Sequence, residues 1–469
     1  MDFRKLYLAL FSLGLFFLPF NSLEGYKILS IFKKEGSAYF WLPAIGLLLV
    51  AFLLLRKKIV VPIFSKSYKI FFLFLAFSVL TFLLNLSDIV QHFYKQKSGV
   101  YMFGVNFFML LFAGVGIVLL VHNAFKGMRV ENIFLMTRKI IFWSFLFVFG
   151  YAIVQLLILR FEVYRLESLF WALDYLPFVH GHLFYNTTRL NSVSFEVPAL
   201  GTYLIFIQGW MFSYILTNQS KWRFIPFALV LFLVYFSGAR SALVSILPQL
   251  LVILLLYKPV QYFVINNAFF ALKSLGLVLL LLFALKGSSL LDRMQQTSIE
   301  QLVGNSISNK SRIGMQIASL HVFSDSPLYG VGLGQETYSK MKYYPTWAVK
   351  DNYEFSEMYL NEEDRMYPPA FNVYTKLLAE TGIIGFLLFV WFQLTSLKET
   401  VVLIARTSGT KRIFAQTLLI TLVGLIVNWG QNDDYMLYGF WISYAFLLIL
   451  MNTKIKDERG ENFSSNSLL

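Results

Sequence analysis

Long apolar runs recur along the chain between short polar stretches, and a helix needs roughly 20 such residues to cross about 30 Å of hydrocarbon. The runs predict helices at 6–21, 38–55, 69–87, 101–122, 139–160, 196–217, 223–238, 240–257, 264–286, 372–396, 412–429 and 435–452. The pattern breaks once. Residues 287–371, between the ninth and tenth runs, are too polar to span and too long for a structureless connector, which marks a functional element. Within that segment Ile313, Ile317, Leu320 and Phe323 recur at helical spacing, so an amphipathic helix is expected over 308–323 with those residues on its apolar face. The fold class is an all-α polytopic membrane protein of about 12 transmembrane helices. It forms a single integral domain over 1–469, with a large extracytoplasmic helical segment at 287–371 and a polar, frayed cytoplasmic tail at 453–469.

Composition supports that class: 57% of residues are hydrophobic and only 14% are charged, against roughly 25% charged in soluble chains. The formal charge of +14 does not imply nucleic acid, because the basic residues lie in short loops beside apolar runs and form no dense tract. Counted as topology signals, the loops holding Arg56, Lys57, Lys58, Lys66, Lys69, Lys126, Arg129, Arg138, Lys139, Lys221, Arg223, Lys258, Lys398, Arg406, Lys411 and Arg412 are the basic-rich set and are read as cytoplasmic. Both termini then fall inside, and every interesting polar patch outside. The absence of cysteine excludes disulfides, zinc-thiolate sites and cysteine nucleophiles. The first run lacks a small-residue cleavage site and is read as a retained helix.

Four patches on the outer face are not explained by lipid. In TTRLNSVSFEVPALGTYL, residues 187–204, Arg189 precedes Glu196 and Pro198, and a proline suits a helix's first turn. In SGARSALVSIL, residues 237–247, Arg240 sits in a tight connection between two apolar helices, where it either snorkels to lipid phosphate or meets an anion. The third patch carries Arg312, then Gln316 at helical spacing, then SPLYGVGLG, whose Gly332 and Gly334 permit a turn able to present amides to an anion. The fourth is PPAFNVYTKLLAETGIIGF, residues 368–386, where Asn372 and Tyr374 open a helix and Gly382 and Gly385 allow close helix packing.

In order, these patches resemble the O-antigen ligase and polymerase superfamily of membrane glycosyltransferases, with its Wzy-type polymerases and WaaL-like ligases. The Arg, then Glu-x-Pro, arrangement is similar to the polymerase signature. SGARSAL looks like the family's serine-x-x-arginine turn, and RIGMQIASLHVFSDSPLYGVGLG like its arginine helix followed by Pro-Leu-x-Gly-x-Gly. FNVYTKLLAETGIIG looks like its His-Asn opening and Glu-x-Gly-x-x-Gly helix. The resemblance implies a GT-C-like fold, an undecaprenyl-diphosphate-linked oligosaccharide as substrate, the bacterial cytoplasmic membrane as location, and a chain-length regulator as a possible partner. One departure matters. Ligases carry histidine before the asparagine, whereas this chain has Phe371, so a polymerase of O-antigen, capsule or exopolysaccharide repeat units is favoured over ligation to lipid A core.

The chemistry can be argued without the family. A diphosphate-linked sugar already has a good leaving group, so the enzyme chiefly needs fixed positive charge where negative charge grows. Arginine's planar fork grips phosphate bidentately and stays charged in a partly dry site. Arg189, Arg240 and Arg312 are therefore expected to converge at one outer cavity and carry catalysis, with Glu196 orienting and deprotonating the acceptor hydroxyl. Gln316, Gly332, Gly334, Asn372 and Tyr374 are the candidate substrate contacts. The outer face has no metal-ligand signature, so neither metal nor cofactor is expected. A lipid-glycan flippase or other transporter is the competing class. It would favour charged helices near the midplane, and only Lys273 lies deep in a predicted span.

Overall fold

The computed structural model describes residues 3–23, 32, 34–56, 58–62, 65–176, 178–185, 188–256, 306–364 and 366–452, and the backbone of 455–456 and 462–463. The described chain is mostly helical: α1 (Phe3–Phe16), α2 (Ala38–Leu53), α3 (Lys66–Leu84), α4 (Gly99–Ala124), α5 (Val130–Phe161), α6 (Val197–Thr217), α7 (Ile225–Ser237), α8 (Arg240–Leu256), α9 (Ile307–Asp325), α10 (Val373–Arg406), α11 (Gly409–Asn428) and α12 (Tyr438–Asn452). All except α9 fall on predicted apolar runs. The run 264–286, together with Lys258, Lys273 and the polar segment up to 305, lies outside the described residues. Among the described residues six helices, α3, α4, α5, α6, α10 and α11, are long and apolar enough to cross a membrane. The first helix ends at Phe16 instead of reaching residue 21, because Pro19 has no amide to continue the ladder and disfavours helical geometry in the residue before it.

The bundle centre is aromatic. Trp41, Trp210, Trp429 and Trp441 are fully buried, and α12 is enclosed along nearly all of its length. Helix α10 is interrupted at Gly382, whose φ of 60° and ψ of −168° break the ladder. Into that break runs the glycine-rich stretch. The amides of Val331 and Gly332 donate to the carbonyls of Ala379 and Glu380 at 3.0 and 2.8 Å, and the Ile383 amide donates to Pro327 O at 2.8 Å. Gly330, at φ +69°, leaves no room for a side chain, since an added Cβ would lie 2.5 Å from Thr381 N and 2.6 Å from Ala379 O. The motif SPLYGVGLG is thus a backbone splice into a broken helix.

Residues 306–371 form a cap at the end of the bundle where α10 begins. The amphipathic helix expected over 308–323 is present as α9, but its buried face differs: Ser311, Gly314, Met315, Ala318, Ser319 and Val322 are inside, whereas Leu320 is 43% exposed. Small residues win because they let α9 lie against Ala348, which Gly314 touches so closely that a Cβ there would collide; bulk alone does not choose the face. The cap's apolar centre is Met315, Ala348, Phe355 and Tyr359, with Tyr344 and Trp347 packed on it. An ion pair, Lys340 to Glu336 at 3.2 Å, is enclosed beside it, and Ser319 Oγ donates to Glu336. The hairpin Phe93–Ser98 ties the cap to the bundle: Tyr94 donates to Tyr359 O at 2.7 Å, and Tyr338 donates to Lys97 O at 2.9 Å. In the tail, the backbone of Ile455–Lys456 pairs with Asn462–Phe463.

Candidate active site

Beneath the cap lies a cavity of about 420 Å³, its wall formed where α1, α6, α8, α9, α10, α11 and α12 or their adjoining loops meet. Its charged lining is Glu35, Glu196, Asp433, Asp434 and Arg312, set among Phe195, Tyr203, Phe206, Phe371 and Tyr438. Arg312 is the sole lysine or arginine in that lining among the described residues. Its guanidinium lies 4.9 Å from the centre of the Phe371 ring, and it forms no ion pair among the described residues. Phe371 adopts φ +57°, a conformation costly for a bulky residue. Where ligases of the resembled superfamily carry histidine, this chain holds an aromatic face under its arginine.

Arg312 is aimed by polar contacts at the root of α10. Asn372 caps that helix, accepting from the Tyr374 and Thr375 amides at 2.9 and 3.4 Å, while its own amide donates to Gln316 Oε1 at 3.3 Å. Gln316 is one helical turn from Arg312, so this bond fixes α9 against α10. The Tyr374 hydroxyl points away, donating to Ile426 O at 2.8 Å. The loop 429–434 locks the same corner: Asp433 accepts from the Ala370 amide at 2.6 Å, and the Val373 amide donates to Trp429 O and Asn432 O. Gln316, Asn372 and Tyr374 are absent from the cavity lining. Removing the cap with Asn372→Ala should lower stability by about 1 kcal/mol, seen as a fall in melting temperature of the detergent-solubilised protein.

Glu196 is positioned by a different element, the start of α6. It is the residue preceding α6, with Pro198 in the first turn as expected, and its side chain makes no capping bond. The approach to it is held by Gln155 of α5, which donates to Asn191 Oδ1 at 2.6 Å and accepts from the Asn191 and Ser192 amides at 3.2 and 3.0 Å. Glu196 is open to the water of the cavity, yet the crowding protein raises its pKa by desolvation, with Arg312 and then Lys34 pulling the other way.

The expected convergence of three arginines is not what the structure shows. Arg189 turns to the connection between α7 and α8, donating to Gly238 O at 3.3 Å. Arg240 opens α8 and is exposed. Neither lines the cavity, although Ser241, next to Arg240, does. Gly332 and Gly334 lie elsewhere too: the Gly332 amide is taken by Glu380 O and the Gly334 amide by the Glu380 side chain. Sequence reasoning passed over Glu35, a single acid in the loop KKEGS that reads as solvated charge; burial first, and then Asp434, push it up to about 8, against Lys34. Asp434 is itself raised by burial. The one signal for this acidic wall was the turn GQNDD at 430–434.

A family model described as O-antigen ligase, Wzy_C, matches residues 225–390. The match supports placement in the O-antigen ligase and polymerase superfamily, and that family suggests a membrane glycosyltransferase-like enzyme. The matched interval contains Arg240, Arg312, Gln316, Gly332, Gly334, Asn372 and Tyr374, and stops short of Arg189 and Glu196. No curated protein matches the chain.

Proposed function

From the premise of that family match we propose that the protein is a polysaccharide polymerase, transferring a growing glycan from undecaprenyl diphosphate onto a lipid-linked repeat unit at the membrane face away from the cytoplasm. The observation that carries the reading is an arginine that forms no ion pair among the described residues, held over Phe371 in a cavity that also presents Glu196. Arg312 stabilises the charge that grows on the diphosphate as the glycosidic bond breaks. Glu196 accepts a hydrogen bond from the acceptor sugar. Arg189 and Arg240, at the neighbouring turn, hold the distal phosphate and the polyprenyl end; Arg240, being exposed, is the weaker contact. Fixed guanidinium charge takes the role a metal ion has elsewhere, and a chain-length regulator docks in the surrounding membrane.

The decisive experiment uses protein in lipid nanodiscs and the lipid-linked oligosaccharide extracted from cells lacking the protein. A ladder of products in the presence of EDTA is expected, and Arg240→Ala should slow its formation about tenfold, the loss of one charged contact of ~1.4 kcal/mol. Activity that vanished with EDTA and returned with a divalent ion would refute the metal-free chemistry. Transfer to a purified lipid A core acceptor, with no elongation of the lipid-linked repeat, would replace polymerase by ligase.

A further inference from the structure

The cavity holds two glutamates in opposite electrostatic company. After burial, which acts on both, the charge with the largest effect on Glu196 is Arg312 and that on Glu35 is Asp434, with Lys34 opposing the rise in each. Neither glutamate's side chain makes a hydrogen bond among the described residues, so each carboxylate is available to a ligand in the space both of them line. Burial raises both carboxyls, but at Glu196 the guanidinium of Arg312 opposes that rise and so weakens it as a base. A carboxylate crowded by a second carboxylate in a poorly solvated wall takes a proton readily and returns it near neutrality, and when two titratable groups in one site are driven apart in this way, their environments assign their roles.

We propose that Glu35, set against Asp434, is the general base of the transfer, which rests on the polymerase reading above. In the step, the acceptor hydroxyl oxygen forms a bond to the anomeric carbon while the bond from that carbon to the diphosphate oxygen breaks. The leaving diphosphate keeps the electron pair beside Arg312. The hydroxyl proton passes to the Glu35 carboxylate and from there to water or to the departing diphosphate, so no oxidant, reductant or further reactant is required. Asp434 is a positioning residue: its own carboxylate accepts the Met436 amide at 2.8 Å, which fixes it as the like charge that makes Glu35 basic. The other charged or titratable groups on the cavity are Asp433, Glu196, Arg312, Tyr203 and Tyr438, with Lys34 adjoining Glu35 in sequence.

The test measures initial elongation rates against pH, with full-length protein in nanodiscs and the extracted lipid-linked repeat unit. A base must be deprotonated to act, so with Glu35 near 8 the wild-type rate should climb as pH rises and level off above about pH 8. Glu35→Gln should lose at least ~100-fold of the rate while keeping a monodisperse elution profile and normal donor binding. Asp434→Asn removes the like charge and should move the midpoint of the profile to lower pH; Glu35→Asp should retain a titrating profile at reduced rate. Wild-type rate and profile in Glu35→Gln would overturn the assignment. So would an inactive Glu35→Gln paired with an Asp434→Asn midpoint that does not move, because a merely structural glutamate leaves the profile of the reaction alone. Absence of elongation by the wild type would remove the polymerase reading itself, and this inference with it.

Discussion

Replacement of Arg312 by alanine is expected to abolish long-chain polymer and leave single-repeat glycolipid to accumulate. No other lysine or arginine lines the cavity among the described residues, so nothing else on that wall can meet the charge that develops on a departing diphosphate. Removing one donor from a preorganised anion-stabilising site costs ~10²–10³ in rate, enough to stop a reaction that must repeat many times per chain. Arg312→Lys should be severely impaired as well. Lysine keeps the charge but lacks the planar fork for bidentate phosphate contact, and it stacks less well on the Phe371 ring 4.9 Å away. Gel analysis of surface polysaccharide and the purified elongation assay both read this directly. Normal chain length in either variant would take Arg312 out of the mechanism.

A loss of comparable size is expected from Lys340→Ala, although Lys340 itself does not line the cavity. The Lys340 side chain is 0% and that of Glu336 3% exposed, 3.2 Å apart, and Lys340 also donates to Pro369 O at 3.0 Å. Deleting the lysine strands a carboxylate in an enclosed site, which costs ~3–5 kcal/mol. Because Glu336 also binds Ser319 on α9, the damage is transmitted to the helix that carries Arg312. The variant should therefore melt well below wild type in detergent and elongate poorly. The double variant Lys340→Met with Glu336→Leu leaves no unpaired charge and should recover most of the melting temperature. Equal stability of Lys340→Ala and wild type would mean that the pair does not hold the cap.

How far the sequence could be read depended on the kind of signal. Arg312 and Glu196, which both line the cavity, stand out in the sequence because arginine on a polar helix and an acid ahead of a helix-opening proline are local features. Arg189 and Arg240 were legible as residues but not as directions: both lie at the α7–α8 turn, and only the folded loop sends Arg189 to Gly238 O. The glycines of SPLYGVGLG resembled an anion-binding turn, yet their positive φ angles serve a splice into α10, a contact between segments about fifty residues apart. Glu35 was invisible. A lone acid beside lysines looks solvated until the α11–α12 connection brings Asp434 against it.

The apolar runs alone determined that this is a helical membrane protein, because a backbone in hydrocarbon must satisfy its own hydrogen bonds and an α-helix does so with local residues only. Composition, helix positions and the existence of α9 follow from the same short-range rule. Which face of α9 is buried, which of three arginines enters the cavity, and which carboxylates share its wall were decided by tertiary structure. Those outcomes depend on steric fit and on Coulomb interactions between distant segments, and they acquire values only once the chain has closed around the cavity.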